Sequence, residues 1–342
     1  MRFFPYSHLL VGLMIVVLVA IIAGGVGSVY VPPKSILAIL LNELPFVSFT
    51  VEAPESWKTI ILQIRLPRVT LAGFVGASLA ISGGTYQGLF RNPLADPYLI
   101  GVASGAGLGA SIVLLTGFPA YAYSFNLLPI VAFVGAIIAV SVSYVIARQS
   151  SGLSLTSIIL AGVAVGSFAN AITSYLIIRS TPDVKPLLTW LMGGFIGATW
   201  DDVLTILPYF IIGSLIILIY ARILNLFQLD QSEVKQLGVN VETTKVILIA
   251  ASALTASAAV ALSGLIGFVG LIAPHAVRLV WGYDQRVLLP MSMLVGATFM
   301  ILADMFARIV ISPSELPVGV ITAFFGAPLF LYLLRSRRRM AT

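Results

Sequence analysis

Long apolar runs alternate along the chain with short breaks of Pro, Gly and charged residues, and ten of these runs read as membrane-spanning helices. Their limits are 9–30, 66–89, 98–117, 128–147, 153–178, 203–221, 245–264, 267–282, 287–307 and 317–334. The eighth is short. The stretch 182–202 is apolar but broken by Pro182, Pro186 and a Gly-Gly pair, so it reads as a short interfacial or re-entrant segment. The first run is longer than the core of a signal peptide and lacks a small-residue cleavage site, so it is expected to stay as the first span.

Composition sharpens this picture. Of 342 residues, 59% are apolar and 9% are charged, against about a quarter charged in a soluble domain. Each crossing takes about 20 predominantly apolar residues over about 30 Å of hydrocarbon. Ten crossings then leave only tails and short connections, with no room for a soluble catalytic domain. The expectation is a single transmembrane domain over 1–342, all-α and polytopic. With no cysteine, disulfides and thiolate metal sites are excluded.

The net charge of +6 follows topology rather than nucleic acid. With the N-terminus cytoplasmic and ten spans, twelve of the nineteen Lys and Arg residues fall inside, as the positive-inside bias requires. Both termini are then cytoplasmic. Among the seven outside, Arg65 and Arg68 bracket Pro67 at the start of the second span, and Arg308 lies one turn from Asp304 at the end of the ninth. These are either interfacial anchors and an i,i+4 pair or a basic docking surface for an acidic partner.

Two further features carry candidate chemistry. Gly101, Gly105 and Gly109 on the third span, and Gly162, Gly166, Asn170 and Ser174 on the fifth, recur every four residues, with Thr173 beside them. Small faces let helices approach closely, and packing is the default for the third span. The polar residues of the fifth leave open a stripe lining a water-filled path. The longest inside connection, QLDQSEVKQLGVNVETTK at 228–245, has three acidic and two basic residues and a Gly238-Val239-Asn240 break. It suggests a small docking helix rather than a plain solvated loop. A weak echo between LAISG at 79–83 and VALSG at 260–264 would relate inverted halves. Enzyme signals are lacking: there is no phosphate loop and no His-Glu-x-x-His pair, and His275 stands alone beyond the N-terminal tail.

Six fragments, in this order and spacing, carry a resemblance. They are RLPR at 65–68, SGGTYQGLFRNPLADPYLIGVASGAG at 82–107, GLIGFVGLIAPHAVR at 264–278, DQRVLLP at 284–290, ADMFAR at 303–308 and ELPVGVITAFFGAPLF at 315–330. Over 63–334 the chain resembles the permease subunits of type II ATP-binding-cassette importers, which take up iron–siderophore complexes, haem and cobalamin. The resemblance implies ten helices per subunit and a homodimer of about twenty with a path at the dimer interface, and the echo above adds the expectation of an inverted internal repeat. It also implies a prokaryotic inner-membrane location, two ATPase subunits inside and a substrate-binding protein outside. ATP and Mg would sit on the ATPases, with no cofactor in this chain and no nucleic acid as partner.

Residue by residue, the resemblance makes Arg65, Arg68 and Arg308 docking residues for the binding protein. It places the ATPase-coupling helix at 230–241, with Asp230, Glu233, Gln236, Leu237, Gly238 and Val239. Thr156 and Ser157 match the cytoplasmic gate of a cobalamin relative, and the path along the fifth helix would include Gly162, Gly166, Asn170, Thr173 and Ser174. The alternative is an ion-coupled secondary transporter, which would carry acids near the membrane midplane. This chain puts its acids at span ends. The ligand is not readable from these residues.

Overall fold

The computed structural model describes residues 6–27, 31–43, 54–116, 121–122, 125–149, 152–180 and 183–340. In chain order the helices are α1 (Tyr6–Gly25), α2 (Pro33–Asn42), α3 (Glu55–Thr59), α4 (Leu66–Leu89), α5 (Val102–Leu115), α6 (Leu127–Ala147), α7 (Leu155–Arg179) and α8 (Lys185–Met192). They continue as α9 (Trp200–Ile219), α10 (Ala221–Leu226), α11 (Gln231–Gln236), α12 (Val241–Ser263), α13 (Val269–Trp281), α14 (Gln285–Ile309) and α15 (Val318–Met340). Two antiparallel ribbons of two residues per strand precede α6 and α7.

Among the described residues, seven helices are long and apolar enough to cross a membrane. Three more apolar helices are shorter: α5, α13 and the stretch Val318–Leu331 of α15. A helix the length of α5 rises only about 21 Å, short of the roughly 30 Å of a hydrocarbon core. The third run, expected from 98, becomes α-helical only at Val102, because Asp96 caps a 3-10 turn over Pro97–Ile100 that Gly101 closes at φ 104°. Re-entrant backbone of this kind is tolerated in a membrane where it is covered by protein. Here the Tyr98 hydroxyl donates to Ile266 O at 2.9 Å and accepts from Ile266 N–H at 3.2 Å, tying the turn to the extended 264–268 segment.

The second run also begins earlier than its pattern suggests. A π-helical segment over Ile60–Arg65 joins α3 to α4, giving one helix from Ser56 to Leu89. Pro67 lies inside this continuous helix without breaking it: it follows the π-turn, and the carbonyl of Leu62, five residues before it, accepts instead from Trp200 Nε1 at 2.9 Å. The 182–202 stretch resolves into α8, an extended return turned at Gly193 and Gly197, and a capping box of Thr199 and Asp202 that starts α9; Pro182 lies outside the described residues.

The centre of the bundle is α4, buried along nearly all its length, packed on α12, α13 and α14. Close approach is set by glycine: a Cβ on Gly76 would lie 2.3 Å from Gly296 O of α14, and one on Gly105 2.3 Å from Gly135 O of α6. Leucines and valines of α1, α6, α7 and α9 stay exposed on the outside of the bundle, as a lipid-facing surface requires.

Candidate functional site

The three arginines singled out in the sequence gather at one end of the bundle, where α1 and α14 end and α4 begins. They do not form an exposed basic face: Arg65, Arg68 and Arg308 are 6%, 8% and 6% exposed. The reason lies in the end of α1, whose last carbonyls have no helical partner. Arg65 donates to Gly24 O at 2.9 Å and Gly25 O at 3.1 Å. Arg308 donates to Ala23 O at 3.0 Å and Val26 O at 2.9 Å. A cation at a helix C-terminus also opposes the helix dipole.

Arg68 is held by carboxylates. Its Nε donates to Asp304 Oδ1 at 2.9 Å, with a second guanidinium nitrogen 2.8 Å from the same oxygen, and it pairs with Glu315 at 2.8 Å. Asp304 is fully buried, and its other oxygen lies 3.1 Å from Arg308 Nε without the alignment of a hydrogen bond. The cluster therefore holds three cations and two anions. Beside it opens a cleft of about 680 Å³, lined in part by Arg68, Glu315, Trp190, Asp202 and Ser263.

At the opposite end lies the 228–245 segment. It contains the expected helix, α11, short and closed by a capping box in which Asp230 and Glu233 satisfy each other's backbone N–H groups. Val234 and Val241 are buried and anchor it, while Glu233, Gln236, Leu237 and Gly238 are exposed. Leu237 is 60% exposed. Gly238 adopts φ 82° with open space around it, and Val239 is half-buried.

The side chains that hold this segment were not singled out in the sequence. Asn225 of α10 donates to Asp284 Oδ1 at 2.8 Å and accepts from Gln285 N–H at 2.8 Å. Arg91 donates through Nε to Phe227 O, and its Nη1 lies 3.6 Å from Asp230. The carboxyl of Asp284 is held down to about 2, first by hydrogen bonds from Arg286 and, despite partial burial, also by Asn225. A signal was present: DQRVLLP begins with an Asp at a helix N-cap position.

The structure divides the expected path along α7. Gly162 and Gly166 pack against the chain: a Cβ on Gly162 would lie 2.1 Å from Leu99 O, and one on Gly166 3.2 Å from Ser104 Oγ. Thr173 is buried, its hydroxyl 3.5 Å from that of Ser111. Asn170 and Ser174 are exposed, as is Ser167. Thr156 is exposed in the first turn of α7, and Ser157 accepts from the N-cap hydroxyl of Ser154 at 2.8 Å. The exposed side of this helix also carries Leu160, Val163 and Ile178, so the polar positions form a strip beside an apolar face.

A family profile described as the FecCD transport family matches residues 13–336. The cobalamin import system permease protein BtuC of Halobacterium salinarum is 46% identical over 291 residues, 83% of this chain and 75% of that protein. The Fe(3+)-citrate import system permease protein YfmE of Bacillus subtilis is 36% identical over 335 residues, 98% of this chain and 96% of that one. The hemin transport system permease protein HmuU of Yersinia pestis is 41% identical over 287 residues, 82% and 84% of the two chains. A solved inward-facing metal-chelate type ABC transporter superposes with a TM-score of 0.82 at 33% identity, covering 97% of this chain and 100% of that one.

Proposed function

The chain belongs to the FecCD transport family, and from that premise we propose that it forms, with a second copy of itself, the membrane path for a metal complex. It is a multi-pass permease subunit of an ABC importer and not an enzyme; ATP hydrolysis belongs to a separate subunit. The proposed cargo is an iron–siderophore complex, haem or cobalamin. What supports this choice is that the relatives named above carry cobalamin, ferric citrate and hemin.

The observation that carries the mechanism is α11, a small capped helix that ends in an exposed Leu237 and an unhindered Gly238. In this reading the 228–245 segment faces the cytoplasm and seats in the ATPase, through Asp230, Glu233, Gln236, Leu237, Gly238 and Val239. ATP and Mg bind on two ATPase subunits. ATP favours their closed state, and that differential binding biases which side the path faces. The seven long helices and three shorter ones make ten crossings within one domain, 1–342, with both termini in the cytoplasm of a prokaryotic cell. The packing of α4 on α14 and of α12 on α6 supports an inverted repeat pairing α4–α7 with α12–α15.

The exposed side of α7 faces the path in the dimer, with Asn170 and Ser174 along it and Thr156 and Ser157 at the cytoplasmic gate. Gly162, Gly166 and Thr173 set the depth at which α7 seats on its neighbours. A substrate-binding protein docks at the other end, over the rim that Arg65, Arg68 and Arg308 hold in place. Their single surplus cation adds a positive field that steers an acidic partner.

The test is reconstitution with the ATPase and binding protein in liposomes, offering ferric chelate, haem and cobalamin in turn. Uptake of one of them that requires ATP and the binding protein is expected. Uptake driven by an ion gradient without the ATPase would overturn the proposal. Leu237→Glu is expected to release the ATPase on purification, and its retention would remove α11 from the contact.

A further inference from the structure

The 228–245 segment is joined to the rest of the chain in two mechanically different ways. Along the backbone it passes into α12 through Gly238, a left-handed residue (φ 82°) at the end of α11 with open space around it. Sideways, Asp230 and the end of α10 that leads into the segment are bonded to two other helices. Asn225 makes two 2.8 Å hydrogen bonds to the start of α14, through Asp284 and Gln285 N–H. Arg91, just beyond the end of α4, bonds Phe227 O and approaches Asp230. Arg91 holds φ 50°, a left-handed conformation in which glycine or asparagine is usual. An arginine there is accounted for by what its side chain reaches.

The two helices so engaged pack closely along their length. They cross at Gly76 and Gly296, with backbone nearly in contact. Leu288 and Leu289 of α14 pack on Gly84 of α4, and Ile301 packs on Gly73. At their far ends they are tied again, by Arg68 of α4 to Asp304 of α14 at 2.8 Å. Inner bonds, a glycine crossing and an outer ion pair thus close a ring through the membrane.

We propose that α4 and α14 form one rigid frame that carries movement of the coupling segment to the outer rim, and that Arg91, Asn225 and Asp284 are the positioning residues fastening that segment to it. The inference rests on the proposed seating of α11 in the ATPase. A stroke of the ATPase reaches the frame through stiff side-chain bonds, while Gly238 lets α12 lag. Packed interiors move as units rather than deforming continuously, so the frame tilts whole and the outer rim moves with it.

The experiment uses the complete permease–ATPase complex in liposomes with the binding protein, reading ligand imported per ATP hydrolysed. Asn225→Asp sets two carboxylates against each other. It is expected to lower that ratio about fivefold or more, the low end of an allosteric coupling, while the ATPase still co-purifies. Adding Asp284→Asn to it exchanges amide and carboxylate and restores the bond, so the double variant is expected to recover most of the ratio. A normal ratio in Asn225→Asp, or a double variant no better than the worse single one, overturns the proposal. Should Asn225→Asp not assemble, Arg91→Gln carries the same test: a lowered ratio supports the frame and a normal one overturns it. Leu237→Glu separates the two readings. If it detaches the ATPase while Asn225→Asp is normal, the frame alone fails; if it changes nothing, the seating of α11 fails.

Discussion

Removing the carboxylate of Asp304 is the sharpest test of how the arginine end is held together. The side chain is fully buried and lies between two guanidiniums, at 2.8 Å from Arg68 and 3.1 Å from Arg308. Without it, three buried or nearly buried cations face one remaining acid, Glu315. Breaking a buried ion pair from one side costs about 3–5 kcal/mol, because the charge left behind is uncompensated. Arg68 keeps Glu315, and Arg308 keeps the carbonyls of Ala23 and Val26 at and just past the end of α1, so the low end, about 3 kcal/mol, applies. At about 2.1 cal/mol/K per residue, a chain of 342 residues shifts by about 1.4 °C per kcal/mol, so the unfolding midpoint falls by about 4 °C.

Asp304→Asn is the variant of choice, since it preserves shape and removes charge. Detergent-solubilised protein would be heated and the fraction surviving size exclusion followed at one fixed heating rate, because unfolding of such proteins is rarely reversible. Arg68→Gln combined with Asp304→Asn is expected to be less damaging than the sum of the two, as for residues that share one network. A midpoint for Asp304→Asn indistinguishable from the native protein would refute the argument that this pair binds α4 to α14.

Two further outcomes are expected. Gly238→Leu meets open space, so its folding cost is the left-handed backbone alone, about 1–2 kcal/mol; it should assemble with the ATPase yet import less ligand per ATP, and normal coupling would remove Gly238 from the coupling. Gly162→Trp, 2.1 Å at Cβ from Leu99 O, should prevent folding, whereas Asn170→Trp on the exposed side should fold and block uptake; the reverse result would exchange their roles.

The helical runs were legible because a membrane span is written locally, as about 20 apolar residues in succession. What escaped was written in neighbours. Helix α2 is too short to span and begins with prolines; it exists because Ile36 and Ile39 bury against Ile61, far along the chain. The burial of Arg65 and Arg308 could not be read, since their partners are backbone carbonyls, which every residue has and no side chain advertises. The division of α7 follows from helical geometry. At 3.6 residues per turn, a repeat of four drifts by about 40° per step. Over Gly162, Gly166, Asn170 and Ser174 the drift takes the series from the packed side to the exposed one. The α11 helix was legible because its capping box and its apolar anchors lie within a dozen residues of each other.

Burial also changes how the proposed docking of a binding protein must be tested. Reversing charge at Arg65 or Arg68 sets an anion against the carbonyls of α1 or against Asp304, so lost docking would report lost structure. Arg308→Lys is the informative change. It keeps the charge, and with it the long-range field, but loses the fork that reaches Ala23 O and Val26 O together. If the arginines act by holding the rim and through their field, Arg308→Lys lowers the thermal midpoint. The affinity for the binding protein and its dependence on salt then stay as they were, since exposed-range electrostatics counts charges rather than forks. If a guanidinium instead meets the partner's carboxylate directly, the affinity falls through faster release while the midpoint holds. The geometry favours the first result, because each of these guanidiniums already has its acceptors inside the chain.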